Sequence, residues 1–493
     1  MKGESGSRYR RNKRRNQFIL LAIIVVLIVV IVVLIFKLMP PKEPHLSGDN
    51  GTSGAEITSG ANAPDDNQEK ADSQNVNNQD TDNQNEEHSD GDEAANPTKE
   101  GAQELLAELM DRADRVAKGY DYDAAIGLLT SVEGYESDAE ITERIKEYEE
   151  QKAALVEWED VTKISHVFFH SLIVDTSKAF DGDDMAEKYN TVMTTVDEFN
   201  KIMEQMYERG YVLVRIHDMA DFVTEADGSV KFTKGKIMLP KGKIPFVLSE
   251  DDVNYYEYMK GDGYANRLVI GEDGMVTTEM DMEDGTSVQG PYDVVPLLEA
   301  FIKEHPDFSY RGARGILAVT GYEGVFGYRT SRRDNADNPT LEEDTRKATE
   351  VADRLKEMGW ELASHGWGHR RMGEISYDKF VWDVDIWDAE VKPILGDTDI
   401  YIYPFGNDIG NWKPYKGDRY EYLKSKGFVY FCYVDASAPY WGQITDEYLR
   451  QGRINFDGMR MYEAISGGKN RLESFFDVKS VFDKARPLPI PGV

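Results

Sequence analysis

Residues 244–256 read IPFVLSEDDVNYY, an apolar run ending on two adjacent carboxylates, and residues 360–372 read WELASHGWGHRRM, a short run ending on two histidines four apart. Both have the form of a buried strand whose last residues carry chemistry. ISHVFFH (164–170), YVLVRI (211–216), RGILAVTG (314–321), DIYIYPFG (399–406) and GFVYFCYV (427–434) repeat the short apolar run. Between several of them lie amphipathic segments such as DMAEKYNTVMTTVDEFNKIMEQMYERG (184–210), LEEDTRKATEVADRLKEMG (341–359) and KPYKGDRYEYLKSKG (413–427). Strands alternating with helices predict an α/β fold with a largely parallel sheet, closed or open. The Gly- and Asp-rich stretch between Tyr255 and Gln289 interrupts this alternation, and its GEDG and EDGT turns predict a hairpin insertion.

Ligand sites in α/β barrels form where strands end at their C-terminal edge. Asp251 and Asp252 terminate one run; neighbouring side chains on a strand point to opposite faces, so one carboxylate can ligate a cation while the other reaches a water beside it. The alternative is a cap or a turn. His365 and His369 are spaced so that both imidazoles can face one cation, as they can also lie on a solvated helix face. Tyr403, Pro404, Phe405 and Gly406 end a third run and offer aromatic surface of the kind that lines sugar-binding clefts. The single cysteine, Cys432, allows no internal disulfide and reads as a small buried apolar residue.

The 493 residues carry a formal charge of −33, which argues against nucleic acid as a partner, since phosphate binding needs clustered Lys and Arg. The chain opens with a basic cytoplasmic tail (1–17), followed by FILLAIIVVLIVVIVVLIF from Phe18 to Phe36 without a polar side chain. About 19 residues at 1.5 Å rise span roughly 28 Å, close to a hydrocarbon core, which predicts a transmembrane anchor over 18–38. Seven Lys and Arg residues between Lys2 and Arg15 precede it, so the positive-inside bias places the C-terminal part outside the cell in a single-pass type II topology. Residues 39–97 are rich in Gly, Ser, Asn, Asp, Gln and Glu and read as a disordered acidic linker. Residues 98–160 turn to helical periodicity with breaks near Gly119 and Gly134, predicting three helices in a stalk. RADRVAKGYDYDAAIGLL within it resembles one tetratricopeptide unit, a hairpin that either docks a protein partner or braces the next domain.

Taken in order, the motifs from Ile164 to about Glu463 resemble the polysaccharide deacetylase superfamily, carbohydrate esterase family 4. LSEDDV stands where that family has Ser/Thr-Phe-Asp-Asp-Gly, and GWELASHGWGH matches its Gly-x-Glu-x-x-Ser-His-(three residues)-His segment. YPFG matches its Pro-aromatic-Gly segment, and HVFFHSLI is similar to the opening strand of the branch acting on exopolysaccharide. The resemblance implies an irregular (β/α) barrel over residues 161–493. It also implies a divalent metal, commonly zinc, on Asp252, His365 and His369, and Asp251 as the base that deprotonates a metal-bound water. The substrate implied is an N-acetylated glycan of the wall or surface, which loses acetate. Tyr403, Pro404, Phe405 and Trp441 would line the substrate groove, Asp435 would correspond to a later Asp near the base, and Arg453 to an Arg near it. The chain departs from the pattern at Glu250, where an aromatic is usual, at Val253, where Gly is usual, and at Ile402, where many members have Arg. No histidine follows His369, so the family's late Leu-x-His is absent. His170, at the end of the opening strand, would take its place as proton donor, with His166 as the second candidate. A glycan-binding protein that keeps the fold and has lost turnover is the alternative.

Overall fold

The computed structural model describes residues 99–225 and 227–490. The expected basic tail, membrane anchor and acidic linker, residues 1–97, lie outside the described residues; within these, no helix is long and apolar enough to cross a membrane. Seven strands form the centre: β1 (Ser165–His170), β2 (Ile244–Asp251), β3 (Ile316–Val319), β4 (Glu361–Ser364), β5 (Ile400–Ile402), β6 (Tyr430–Val434) and β7 (Leu449–Asn455). Each pairs in parallel with the next, and β7 pairs back to β1 with Arg453 opposite His166, so the sheet closes into a barrel in chain order. The segment Tyr211–Leu213, expected as a strand, pairs with Ile244–Phe246 at the start of β2, below the point where β3 pairs with Ser249 and Glu250. It therefore extends one edge without entering the ring.

Alternation along each strand sorts side chains between two cores. Val247, Ile316, Ala318, Ala363, Ile400, Ile402, Tyr430, Cys432 and Leu449 fall in the cluster that fills the barrel interior. Their strand neighbours Phe246, Leu248, Leu317, Val319, Leu362, Tyr401 and Phe431 fall in the outer layer, under the surrounding helices. Cys432 is buried in the inner cluster, as an apolar residue would be. In order, the helices of eight residues or more among the described residues are α1 (Lys99–Lys118), α2 (Tyr122–Thr130), α3 (Ala139–Ala153), α4 (Val196–Glu208), α5 (Val294–Glu304), α6 (Leu341–Glu357), α7 (Tyr377–Glu390), α8 (Asp418–Ser425) and α9 (Gly458–Ile465).

Helices α1 to α3 pack onto the N-terminal end of the barrel. Ala113, Ala117, Ala125, Leu129 and Ile141 join the inner cluster through Ile164, Val212 and Val214. The alanines let α1 and α2 approach closely, and the Gly119 carbonyl accepts the Arg311 N–H at 2.7 Å. This packing has the character of a brace. The insertion forms a three-stranded antiparallel sheet (Arg267–Ile270, Val276–Asp281, Ser287–Gly290) whose Leu268 and Val276 join the outer core. Arg354 of α6 donates to the Gly274 carbonyl at 2.6 Å, which fixes this sheet to the flank of the barrel.

His217 pins the same N-terminal end. Its Nδ1 bonds Glu361, the first residue of β4, and its Nε2 lies 3.1 Å from Asp399 Oδ1, just before β5. Burial opposes its charge, but hydrogen bonds to Asp399 and Glu361 outweigh that and raise its pKa to about 10. An unfolded histidine titrates near ~6.5. The charged form is thus favoured by folding, with the full contribution present below about pH 6.5 and lost as pH rises toward 10. The melting temperature should therefore fall between pH 7 and pH 10, and the His217→Gln variant should lose that part of the slope. Equal slopes in a calorimetric pH series would show that His217 is not charged in the folded state.

Candidate metal centre

The C-terminal mouth of the barrel gathers the residues that ended the apolar runs. One donor atom each from Asp252, His365 and His369 lies within 4.8 Å of the other two, close enough for small side-chain adjustments to bring all three onto one cation. His365 is buried, and its Nδ1 lies 2.8 Å from the Ile402 carbonyl. A carbonyl only accepts, so Nδ1 carries the proton and Nε2 presents a lone pair to the site. Burial lowers the His365 pKa to about 4 despite Asp251 and Asp252 nearby, which keeps the ring neutral as a ligand must be. His369 Nε2 is 3.5 Å from Asp252 Oδ2. The donor set, one carboxylate and two imidazoles, suits a divalent metal with positions left open.

Three residues here have left-handed backbone: Asp252 (φ 58°), His369 (φ 45°) and Phe405 (φ 57°). Such conformations cost energy and persist where the surroundings over-determine them. The two ligand loops have identifiable braces. Tyr256 donates to Asp252 Oδ1 at 2.7 Å, and Asn254 bridges the Thr320 and Gly324 carbonyls, tying the loop after β2 to the loop after β3. Asp383 of α7 accepts the N–H groups of Trp367 and Gly368, between the two histidines, at 2.8 and 3.0 Å. Gly366 lies beneath the same carboxylate with φ 67°, and a Cβ there would sit 2.8 Å from Asp383 Oδ1.

Asp251 stands beside the set without belonging to it, 3.9 Å from His365 Nε2. Arg453 grips it with two hydrogen bonds, 2.6 Å to Oδ1 and 2.8 Å to Oδ2, and both residues are buried. Burial works against its charge, but Arg453 and His365 hold the carboxyl well below the usual carboxylate range. Below this pair a directed chain runs through the barrel. Arg453 donates to Ser249 Oγ at 3.0 Å, Ser249 Oγ lies 3.0 Å from His166 Nε2, and His166 Nδ1 lies 3.1 Å from Gln451 Oε1. Gln451 in turn donates to the Ile164 carbonyl at 3.2 Å. Because the amide oxygen only accepts, His166 Nδ1 donates and Nε2 accepts the serine hydroxyl. Burial, with Arg453 adding to it, keeps the His166 pKa well below its ordinary value.

His166 is therefore a satisfied core histidine with both ring nitrogens engaged inside the barrel. His170, four residues on, reaches the mouth and lies in register beside Asp251. Its Nδ1 is 3.2 Å from the Val192 carbonyl, which leaves Nε2 without a partner among the described residues. Glu250 lies on the opposite face of β2 from Asp251, buried near Asp293, and burial raises its pKa well above the ordinary value, with Asp293 adding to the effect. Val253 is buried in the outer core. Neither departure from the expected motif faces the ligand set.

The expected groove residues divide. Phe405 is 56 % exposed and its ring centroid lies 4.3 Å from that of His369, so it borders the centre, next to the buried Pro404. Tyr403 does not: its ring is fully buried in the outer layer between Tyr401 and Phe431, because residue 403 follows the outward parity of Tyr401. Trp441 pairs with Gly452 on the outer side of β7, and its ring contacts Tyr433 and the Arg450 guanidinium, none of them a candidate ligand. Asp435 accepts from the Ser437 N–H at 2.9 Å, and the Arg453 guanidinium donates to Asp251 and Ser249 instead. Sequence reading missed Tyr256 and Asp383; the only signal for Tyr256 was its place four residues after Asp252.

Ser249→Ala would leave both the His166 Nε2 and one Arg453 N–H without a buried partner. It should cost about 1–3 kcal/mol of stability in urea titrations without removing bound metal. An unchanged midpoint would mean that the chain of hydrogen bonds carries no load.

No family model matches the sequence, and no curated protein matches it. Among solved structures, the chain is similar to a Streptococcus pyogenes deacetylase, PplD, in complex with acetate, at 12% identity and a TM-score of 0.34, over 66% of this chain and 100% of that one. It is also similar to BC0361, a polysaccharide deacetylase from Bacillus cereus, at 12% identity and a TM-score of 0.30, over 61% of this chain and 65% of that one.

Proposed function

We propose that the chain is a membrane-anchored, cell-surface, metal-dependent deacetylase that removes acetyl groups from N-acetylated polysaccharide, with zinc as its metal. The observation that carries this reading is the ligand set Asp252, His365 and His369 at the barrel mouth, with the carboxylate of Asp251 held beside it by Arg453. Asp252, His365 and His369 would hold a divalent cation, which would supply the Lewis acidity that a carboxylate as weakly basic as Asp251 needs in a partner. Asp251 receives a proton from the attacking water; Arg453 keeps its oxygens aimed and anionic until then. His170 donates its Nδ1 proton to the Val192 carbonyl and leaves Nε2 free; as the imidazolium it would give the Nε2 proton to the departing amine and return to the neutral ring. The amide C–N bond breaks, and the products are acetate and a free amino sugar.

The anchor rests on the apolar run 18–36 with its preceding basic residues, and the outward orientation on the positive-inside bias. The protein partner at the helical segment is weakened by the packing of α1–α3 against the barrel, which uses their apolar faces. A second reading, glycan binding without turnover, draws on the absence of any histidine after His369. Acetate release from N-acetylglucosamine oligomers by the metal-loaded chain separates the two. Asp251→Asn should lower kcat by roughly a hundredfold or more with metal retained, the range expected for loss of a general base. His365→Ala should abolish both metal and turnover. Full activity in either variant would overturn the assignment, and glycan binding with no acetate release would favour the second reading.

A further inference from the structure

Beside the ligand set stands a stack of tyrosines that no part of the mechanism above uses in full. Tyr256, whose hydroxyl donates to Asp252 and lies 2.7 Å from Thr320 Oγ1, has its ring parallel to Tyr322 at 4.6 Å and 7°. Tyr258 stacks on Tyr256 at 5.4 Å and 19°. Tyr256 is buried, while Tyr258 is 45 % exposed. The hydroxyl bond and the stack would hold Tyr256 without Tyr258, and Tyr258 has Tyr256 as its only aromatic neighbour among the described residues. Tyr258 is thus a pre-oriented ring presented to solvent one stacked residue from a candidate ligand carboxylate.

On the other side of the set, Phe405 is an exposed ring against His369. The two rings come from the loops after β2 and β5, which are three strands apart one way round a seven-strand ring and four the other, so they leave the mouth on opposite sides. A linear chain crossing the centre meets one aromatic face on each side. The acidic protein disfavours a polyanion, whereas neutral pyranose rings present apolar C–H faces that suit aromatic platforms.

We propose that Tyr258 forms a sugar-binding subsite on the Asp252 side of the centre, so that the reacting residue is an internal one in a neutral N-acetylated glycan chain flanked on both sides. This rests on the function proposed above. The test is calorimetric binding of the N-acetylglucosamine tetramer and monomer to the full metal-loaded chain carrying Asp251→Asn, with and without Tyr258→Ala or Tyr258→Phe. Tyr258→Ala should weaken tetramer binding roughly tenfold, the scale of one stacking contact, and weaken monomer binding much less. Tyr258→Phe, which keeps the ring face, should stay near the parent, a recovery that a role of the hydroxyl does not predict, while the tetramer-against-monomer difference is what a stability effect does not predict. Tetramer affinity unchanged by Tyr258→Ala, or lowered equally for monomer and tetramer, overturns the subsite. Acetate release by the unsubstituted chain is scored separately: its absence, with tetramer binding still dependent on Tyr258, defeats the deacetylase reading and leaves the subsite standing.

Discussion

A guanidinium buried in a barrel needs a partner for its charge and for most of its N–H groups, and Arg453 finds both in Asp251 and Ser249. Phe168 lies under its face at 4.2 Å. Breaking a buried pair by removing one partner typically costs about 3–5 kcal/mol, because the other charge is left uncompensated. The same constraint organises the mouth. Asp251 is committed to Arg453 and cannot swing into the ligand set without stranding it, so Asp252 is left as the one carboxylate for a cation. With His365 neutral and the Asp251–Arg453 pair balanced, a divalent ion there would meet a single negative ligand. An ion held there would keep net positive charge for its open positions.

The interior of the barrel is graded to suit. Its N-terminal half is filled by Ile316, Ile400, Tyr430 and Leu449 and sealed by the helical brace. Higher up, Ser249, His166, Gln451 and Arg453 replace apolar side chains with a network in which each hydrogen bond fixes the next. A half-satisfied network in this place would be worse than an apolar core. Outside the ring, Asp383, Asn254 and Tyr256 offset the backbone strain of the two ligand loops.

Much of this was legible in the sequence because it follows from local pattern. Six of the seven barrel strands announced themselves as short apolar runs, and Asp251, Asp252, His365 and His369 stood at their ends. The seventh did not. LRQGRIN, β7, carries Arg450, Gln451 and Arg453, and its burial depends on partners far away in the chain: Asp408 and Tyr415 for Arg450, Asp251 for Arg453. A single strand cannot advertise a polar interior. The same limit explains Tyr403, whose run predicted a strand end but not which side of the barrel it faced. It also explains His166 and His170, which share strand parity but stand four residues apart along the barrel axis. Tyr211–Leu213 looked like a barrel strand because apolar alternation is equally strong at a sheet edge.

The central claim is that the cation is held by Asp252, His365 and His369 while Asp251 stays with Arg453. Crystals grown with zinc, measured at the zinc absorption edge, test it most directly. The account predicts one anomalous peak at the barrel mouth, within about 2.0–2.2 Å of Asp252 Oδ2, His365 Nε2 and His369 Nε2, and an intact bidentate Asp251–Arg453 pair. A peak bonded to Asp251 with Arg453 displaced, or no peak among these residues, would contradict it.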